Sequence, residues 1–327
     1  MAEITLLESI RQGLDEMMAS DPRVFVFGED VGKRGGVFRV TEGLFDKYGP
    51  NRIIDAPLAE SVIVGAAIGA AMNDTLPVAE IQFADFIAPA FNQIVQEAAR
   101  VRYRSNGDWN VPMVIRTPYG GGIHGALYHS QSIEAIFCHV PGLKVVAPAT
   151  PYDAKGLLKS SIEDPDPVLF LEHKKCYRLI KGDVPAEDYR IPIGKADIKR
   201  AGRDLTVISY GLMLHYCLEA AEELAHEGVD AEVLDLRTLR PLDGEAILAS
   251  VRKTSKALIV HEDNLTGGLG GEIAALISQH AFEHLDGPVM RVCAPDVPAM
   301  PYSQPLEAAF MPSPAKIADA MRELAAY

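Results

Sequence analysis

The chain has 327 residues, 48% of them hydrophobic, with a formal net charge of −14, which suits about two domains of roughly 150 residues each. That charge argues against nucleic acid or an anionic membrane as partner and fits a protein that docks a basic one. The four cysteines, Cys138, Cys176, Cys217 and Cys293, stand far apart with no CxxC pair, as in a reduced, cytoplasmic chain with no disulfide frame or zinc site.

In chain order, MAEITLLESIRQGLDEMM carries apolar residues near Ile4, Leu7, Ile10, Leu14 and Met17, which predicts an amphipathic helix. Its acidic residues and lack of a long apolar core exclude a signal peptide. Short buried strands are expected at 24–30, 76–83, 111–119, 142–149 and 166–173, with helices over 58–72, 88–103, 130–138 and 151–163. The last opens on Pro151, which suits a first helical turn. Within 58–72, the run VIVGAAIGAAM (62–72) has no polar side chain and predicts a helix buried nearly all round. It is too short for a bilayer, which needs about 20 residues. Glu60 leads into this run, and burying an unpaired carboxylate costs several kcal/mol. The local sequence supplies no partner for it.

From 174 to 203 the chain turns charged and loses periodicity, which predicts a linker, placed at 186–203, between domains at 1–185 and 204–327. Beyond it, strands at 205–211, 231–237, 257–263 and 289–295 alternate with helices at 213–227, 243–253, 271–284 and 314–325. That alternation predicts a two-domain α/β fold with parallel sheets covered on both faces.

The stretch YGGGIHG (119–125) contains a formal GxGxxG at Gly120, Gly122 and Gly125. A nicotinamide-dinucleotide site also needs an uninterrupted helix and an acidic residue about 20 residues on. Pro141 cuts the segment that follows, and no such acid ends a second strand. A mobile glycine loop carrying polar groups fits better. It holds His124 and His129, with Ser130, Gln131 and Ser132 beyond. Loops on a rigid strand present functional groups, and histidine suits proton transfer near neutral pH; a purely structural histidine stays the alternative. No HExxH, EF-hand loop, P-loop or GxSxG elbow occurs. His261-Glu262-Asp263 reads as a polar strand end capping the next helix rather than a ligand cluster. The glycines of 266–272 read as a packing device rather than an anion cradle.

Several ordered blocks together resemble one family over essentially the whole chain. They are FGEDVGKRGGVFRVTEGL (27–44), DAPLAESVIVGAAIGAAM (55–72), AEIQFADFIAPAFNQI (79–94), RYRSNGDW (102–109), GALYHSQSIEA (125–135), PGLKVV (141–146), PYDAKGLL (151–158), EVLDLRTLRPLD (232–243) and PDVPAMPY (295–302). The family is the β subunit of the thiamin-diphosphate-dependent 2-oxo acid dehydrogenase component of pyruvate, acetoin and branched-chain complexes. The resemblance implies an N-terminal pyrimidine-binding domain and a C-terminal transketolase-like domain. It also gives Glu60 a partner, since the matching glutamate pairs with pyrimidine N1′ of thiamin diphosphate. That pairing favours the 4′-imino tautomer, which removes the thiazolium C2 proton and leaves the ylide that attacks a 2-oxo acid.

By the same match Leu58, Gln82 and Phe86 line the cofactor pocket, with Phe86 in place of a tyrosine found in some relatives. His129 matches the histidine of the acyl-transfer half-reaction, and Tyr119 shapes the acyl pocket. Val111, Met113, Val114, Ser161 and Asp164 match a monovalent-cation (K⁺) site of some relatives, with Val114 replacing a threonine. Thiamin enzymes hold Mg²⁺ and diphosphate through Gly-Asp-Gly, which occurs nowhere here. The resemblance therefore implies an α subunit that binds Mg²⁺, a two-α two-β heterotetramer, and docking to a lipoyl acyltransferase core through its lipoyl domain and basic subunit-binding module. The GALYHSQS loop, IQFADF and residues 172–189 are most similar to branched-chain (2-oxoisovalerate) members. Pyruvate or acetoin members stay open, as do two readings of another class, a nicotinamide oxidoreductase and a non-catalytic assembly subunit.

Overall fold

Thr5 sets where the N-terminal helix begins. Its hydroxyl accepts the Glu8 N–H at 3.2 Å while the Glu8 carboxylate accepts the Thr5 N–H at 2.8 Å, a reciprocal capping box. The helix therefore runs Leu6–Ser20, and Ile4, expected inside it, lies in a strand instead. The computed structural model describes residues 2–327. They divide into two units, one running to Tyr119 and including Ile136–Ile193, the other made of Gly120–Ala135 and Gly194–Tyr327.

The first unit holds β1 (Ala2–Thr5), β2 (Val24–Gly28), β3 (Ile53–Asp55), β4 (Leu76–Glu80), β5 (Val114–Tyr119), β6 (Lys144–Val146), β7 (Val168–His173) and β8 (Lys181–Val184). β1 pairs antiparallel with β8. The strands β6, β7, β5, β4, β2 and β3 lie side by side in that order, each pair parallel. Every residue of β5 and β7 is buried, as expected where helices cover both faces of a parallel sheet. The Leu6–Ser20 and Pro151–Glu163 helices pack together, and Glu16 of the first takes Lys155 and Lys159 of the second at 2.6 and 2.5 Å.

Besides the 130–138 helix, which runs only Glu134–Cys138, two helical expectations need correction here. Residues 88–103 are not one α-helix but a 3₁₀ turn (Ala88–Ala90), a π-helical stretch (Gln93–Ala98) and a short helix (Val101–Arg104). Pro89 has no N–H to enter an α-helical ladder, and the π turn adds a residue to the helix surface. The second concerns the helix Glu60–Ala71. Ile63, Val64, Ala67, Ile68 and Ala71 face the interior, but Val62 is 52% exposed and Ala66 and Gly69 are exposed beside it. The run is apolar all round yet covered on one side only within this chain.

The second unit holds β9 (Asp197–Arg200), β10 (Leu205–Ser209), β11 (Ala231–Asp235), β12 (Thr238–Arg240), β13 (Ala257–Asn264) and β14 (Met290–Ala294). The sheet order is β14, β13, β10, β11, β9, parallel except for the β9 edge. β9 lies inside the 186–203 stretch and is an edge strand. Helices Leu212–Ala225, Gly244–Thr254, Leu269–His280 and Pro314–Ala325 alternate with these strands, and a further helix, Gln304–Phe310, precedes the last. From β10 the chain passes to β11 on one side and later to β13 on the other, so strand order reverses between β10 and β13. No helix among the described residues is long and apolar enough to cross a membrane.

Candidate active site

The register of three strands brings one set of predicted residues to a single sheet edge. Gly28 of β2 lies opposite Asp55 of β3 and Glu80 of β4. The residues that follow each strand therefore leave the sheet at its carboxyl edge, where α/β sheets place their ligands. Glu60 is the first residue of its helix and is half-buried, at the end where the helix dipole favours an anion. Glu29, directly after β2, was not singled out from sequence. Its carboxyl is held above the usual carboxylate range, first by burial and then by the negative charges of Glu60 and Asp30. Gln82 donates through Nε2 to the Glu29 carbonyl at 3.5 Å. Phe86 closes a 3₁₀ turn just beyond, half-buried, with its ring edge-on to Phe83 at 5.5 Å. Leu58, two residues before Glu60, is 80% exposed.

Beneath this edge lies a buried ionic network that sequence reasoning also missed. Arg116 donates to Glu172 at 2.6 and 2.8 Å and to Glu80 at 2.6 Å. The Tyr177 hydroxyl donates to Glu172 at 2.5 Å. Burial holds the Glu80 carboxyl up against the lowering effect of Arg116 and pushes the Tyr177 hydroxyl well above its ordinary range. At the far end of β5, Tyr119 pairs in register with His173, their rings 5.1 Å apart at 76°.

The residues matched to a monovalent cation fall at the start of one strand and the end of one helix. Val111 and Met113 lead into β5, which opens on Val114, and Ser161 and Asp164 close the Pro151–Glu163 helix. The Met113 carbonyl accepts the Val168 N–H at 3.0 Å, and the Asp164 carboxylate holds Lys144 Nζ at 2.6 Å through both oxygens.

His129 belongs to the second unit, on the loop Gly120–Ala135. It is half-buried, and its N–H donates to the Ala126 carbonyl at 3.4 Å. The glycines keep the loop tight. A Cβ on Gly125 would lie 2.6 Å from the His129 carbonyl oxygen. In the same unit His261 caps the following helix, as its sequence position suggests, with Nε2 accepting the Gly270 N–H at 3.1 Å. Burial depresses its pKa to about 4. The glycines of 266–272 pack on it, and a Cβ on Gly270 would come 2.7 Å from its Nε2.

Comparison with known proteins agrees with this architecture. The family model "Transketolase, pyrimidine binding domain" matches residues 2–180, and "Transketolase, C-terminal domain" matches 194–317. The 2-oxoisovalerate dehydrogenase subunit beta of Bacillus subtilis (strain 168) is 58% identical over 327 residues, covering 100% of both chains. The pyruvate dehydrogenase E1 component subunit beta of the same organism is 47% identical over 324 residues, 99% of each chain. Among solved structures, a split-gene transketolase described as an inactive beta4 tetramer matches with a TM-score of 0.80 at 25% identity, covering 99% of this chain and 98% of that one. The family resemblance and the expectation of a two-domain α/β fold are thus borne out, and the chain belongs to the transketolase-type family of 2-oxo acid dehydrogenase β subunits.

Proposed function

We propose that the chain is the β subunit of a branched-chain 2-oxo acid (2-oxoisovalerate) dehydrogenase that oxidatively decarboxylates its substrate and acylates a lipoyl group on an acyltransferase core. The observation that carries this reading is the full-length identity of 58% to a 2-oxoisovalerate dehydrogenase subunit beta, against 47% to the pyruvate enzyme of the same organism. The domains are taken as 1–185 and 204–327 with a connector at 186–203, and the compartment as the cytoplasm.

The sheet edge fits thiamin diphosphate. Two neighbouring carboxyls, one of them held protonated more readily by burial and by the other's charge, suit an aromatic ring nitrogen. When bound, the cofactor supplies an acidic carbon that adds to the 2-oxo carbonyl and accepts the electron pair left as CO₂ departs. Glu60 holds the pyrimidine nitrogen, Glu29 tunes the proton affinity beside it, and Leu58, Gln82 and Phe86 line the cofactor's flank. Tyr119 shapes the acyl pocket. His129 gives its proton to one lipoyl sulfur as the S–S bond breaks and the other sulfur takes the acyl group. Mg²⁺ and diphosphate fall to an α subunit, in a two-α two-β assembly whose acidic β chains dock the basic module of the core. K⁺ is assigned to Val111, Met113, Val114, Ser161 and Asp164.

Co-expression with an α chain and a panel of 2-oxo acids tests the reading. Branched substrates should give the higher kcat/KM, by the factor that about 1–3 kcal/mol per methylene allows; a preference for pyruvate would reject the substrate assignment. Glu60→Gln should abolish decarboxylation, whereas unchanged turnover would favour an assembly subunit. His129→Ala should lower lipoyl acylation more than decarboxylation measured with an artificial acceptor.

A further inference from the structure

Open parallel sheets hold their ligands where strand order reverses, outside the carboxyl ends of the strands. In the second unit that point lies between β10 and β13. Tyr210 follows the first strand, and Glu262 lies near the end of the second. What occupies the crevice is the chain's own glycine loop. The Gly121 N–H donates to Glu262 Oε1 at 2.5 Å, and the Tyr210 hydroxyl donates to Glu134 Oε1 at 2.9 Å near the loop's other end.

Glu307, from the Gln304–Phe310 helix, closes the cradle. Its side chain is 5% exposed. Oε1 accepts the N–H groups of Gly122 and His124 at 3.0 and 3.1 Å, and Oε2 lies 2.6 Å from His124 Nδ1. Both oxygens of a buried carboxylate are thus committed to one short loop. Bonds from N–H groups to an ionised acceptor are about twice as strong as neutral ones. A Cβ on Gly121 would lie 2.1 Å from Met300 Sδ, so only glycine seats there without displacing Met300. His124 and Ala126 hold φ of +57° and +55°, left-handed conformations that persist only where the surroundings over-determine them. His129 follows three residues later and leans on the Ala126 carbonyl.

From this arrangement we propose that Glu307, assisted by Glu262, is a positioning residue for His129: the second unit uses its ligand crevice to hold the histidine loop in its working conformation. The proposal rests on the acyl-transfer role given to His129 above. A misplacement of about 1 Å can cost on the order of 100-fold in rate, so losing one anchor of the loop should be visible in the half-reaction that needs the histidine.

The test uses the assembled enzyme carrying Glu307→Gln, with His124→Asn as a second variant should the first not fold. Lipoyl acylation should fall by about ten-fold or more while decarboxylation with an artificial acceptor stays within about two-fold. Amide hydrogen exchange should quicken at Gly121, Gly122 and His124. Equal losses in the two half-reactions, or unchanged exchange in the loop, would overturn the proposal. A His129→Ala enzyme that loses both half-reactions equally would refute the histidine's role. The cradle would then be judged by exchange alone, faster exchange supporting it and unchanged exchange overturning it.

Discussion

Replacing Arg116 by methionine probes what holds the carboxyl edge of the first sheet in place. Arg116 is 1% exposed, and its partners Glu80 and Glu172 are 5% and 0% exposed. Methionine keeps much of the side chain's length but removes three charge-assisted bonds, two to Glu172 and one to Glu80. Two carboxylates then remain in the interior with the Tyr177 hydroxyl as the one surviving donor named in this network. Breaking a buried pair by removing one partner costs about 3–5 kcal/mol, and two carboxylates that lose one cation belong at the upper end. The pH dependence has a definite sign. Burial already holds the Glu80 carboxyl up against Arg116, so without that cation the folded variant binds a proton there more tightly than the unfolded chain does. The stability deficit should be largest at neutral pH and shrink on acidification. Urea unfolding of wild type and Arg116→Met at pH 7 and pH 5 measures both effects, with the transition of the first unit followed separately because a two-domain chain need not unfold in one step. Adding Glu80→Gln and Glu172→Gln should recover most of the loss. A deficit under about 1 kcal/mol, or one independent of pH, would refute the reasoning.

Two further outcomes follow from groups outside that network. His261, with its pKa depressed by burial to about 4 from an ordinary 6.5, binds protons better unfolded than folded; its contribution is complete above about pH 6.5 and is lost as pH falls toward 4, by up to about 3 kcal/mol. Urea midpoints at pH 7 and pH 5 should therefore separate more in wild type than in His261→Asn; equal separations would disprove the assignment. Thr5→Ala removes the hydroxyl that caps the Leu6–Ser20 helix and should cost about 1 kcal/mol, read as a lower melting temperature. An unchanged melt would mean that the capping box adds nothing.

The strands easiest to read from sequence are those buried on both faces. VIRTPY, VLFLEH and LTVIS are compact, largely apolar runs, and β5, β7 and β10 are buried at every position. β9 escapes the same reading because an edge strand needs no apolar run, and DIKR lies in charged chain with no buried residue. Glu60 stands out because a carboxylate opens an apolar run. Glu29 does not, since an acid after a strand is common and its meaning depends on the β2–β3 register that brings it near Glu60. Arg116 and Glu172 are 56 residues apart, and Glu307 lies 185 and 183 residues from Gly122 and His124. No local periodicity reports contacts of that range.

The carboxyl edge of the first sheet shows how one fold gives neighbouring acids different surroundings. Asp55 accepts the Gly32 N–H at 2.6 Å, and Glu80 is held by Arg116 at 2.6 Å. For Glu80, burial outweighs the lowering effect of Arg116. Glu29 shares the edge but meets burial, Glu60 and Asp30, every one of which disfavours its charge. A carboxyl in that position holds a proton more readily than a solvated one. Beneath the edge, Arg116 is the cation that pairs both Glu80 and Glu172. Arg116 works against the burial of Glu80, whereas the charges of Glu60 and Asp30 add to the burial of Glu29.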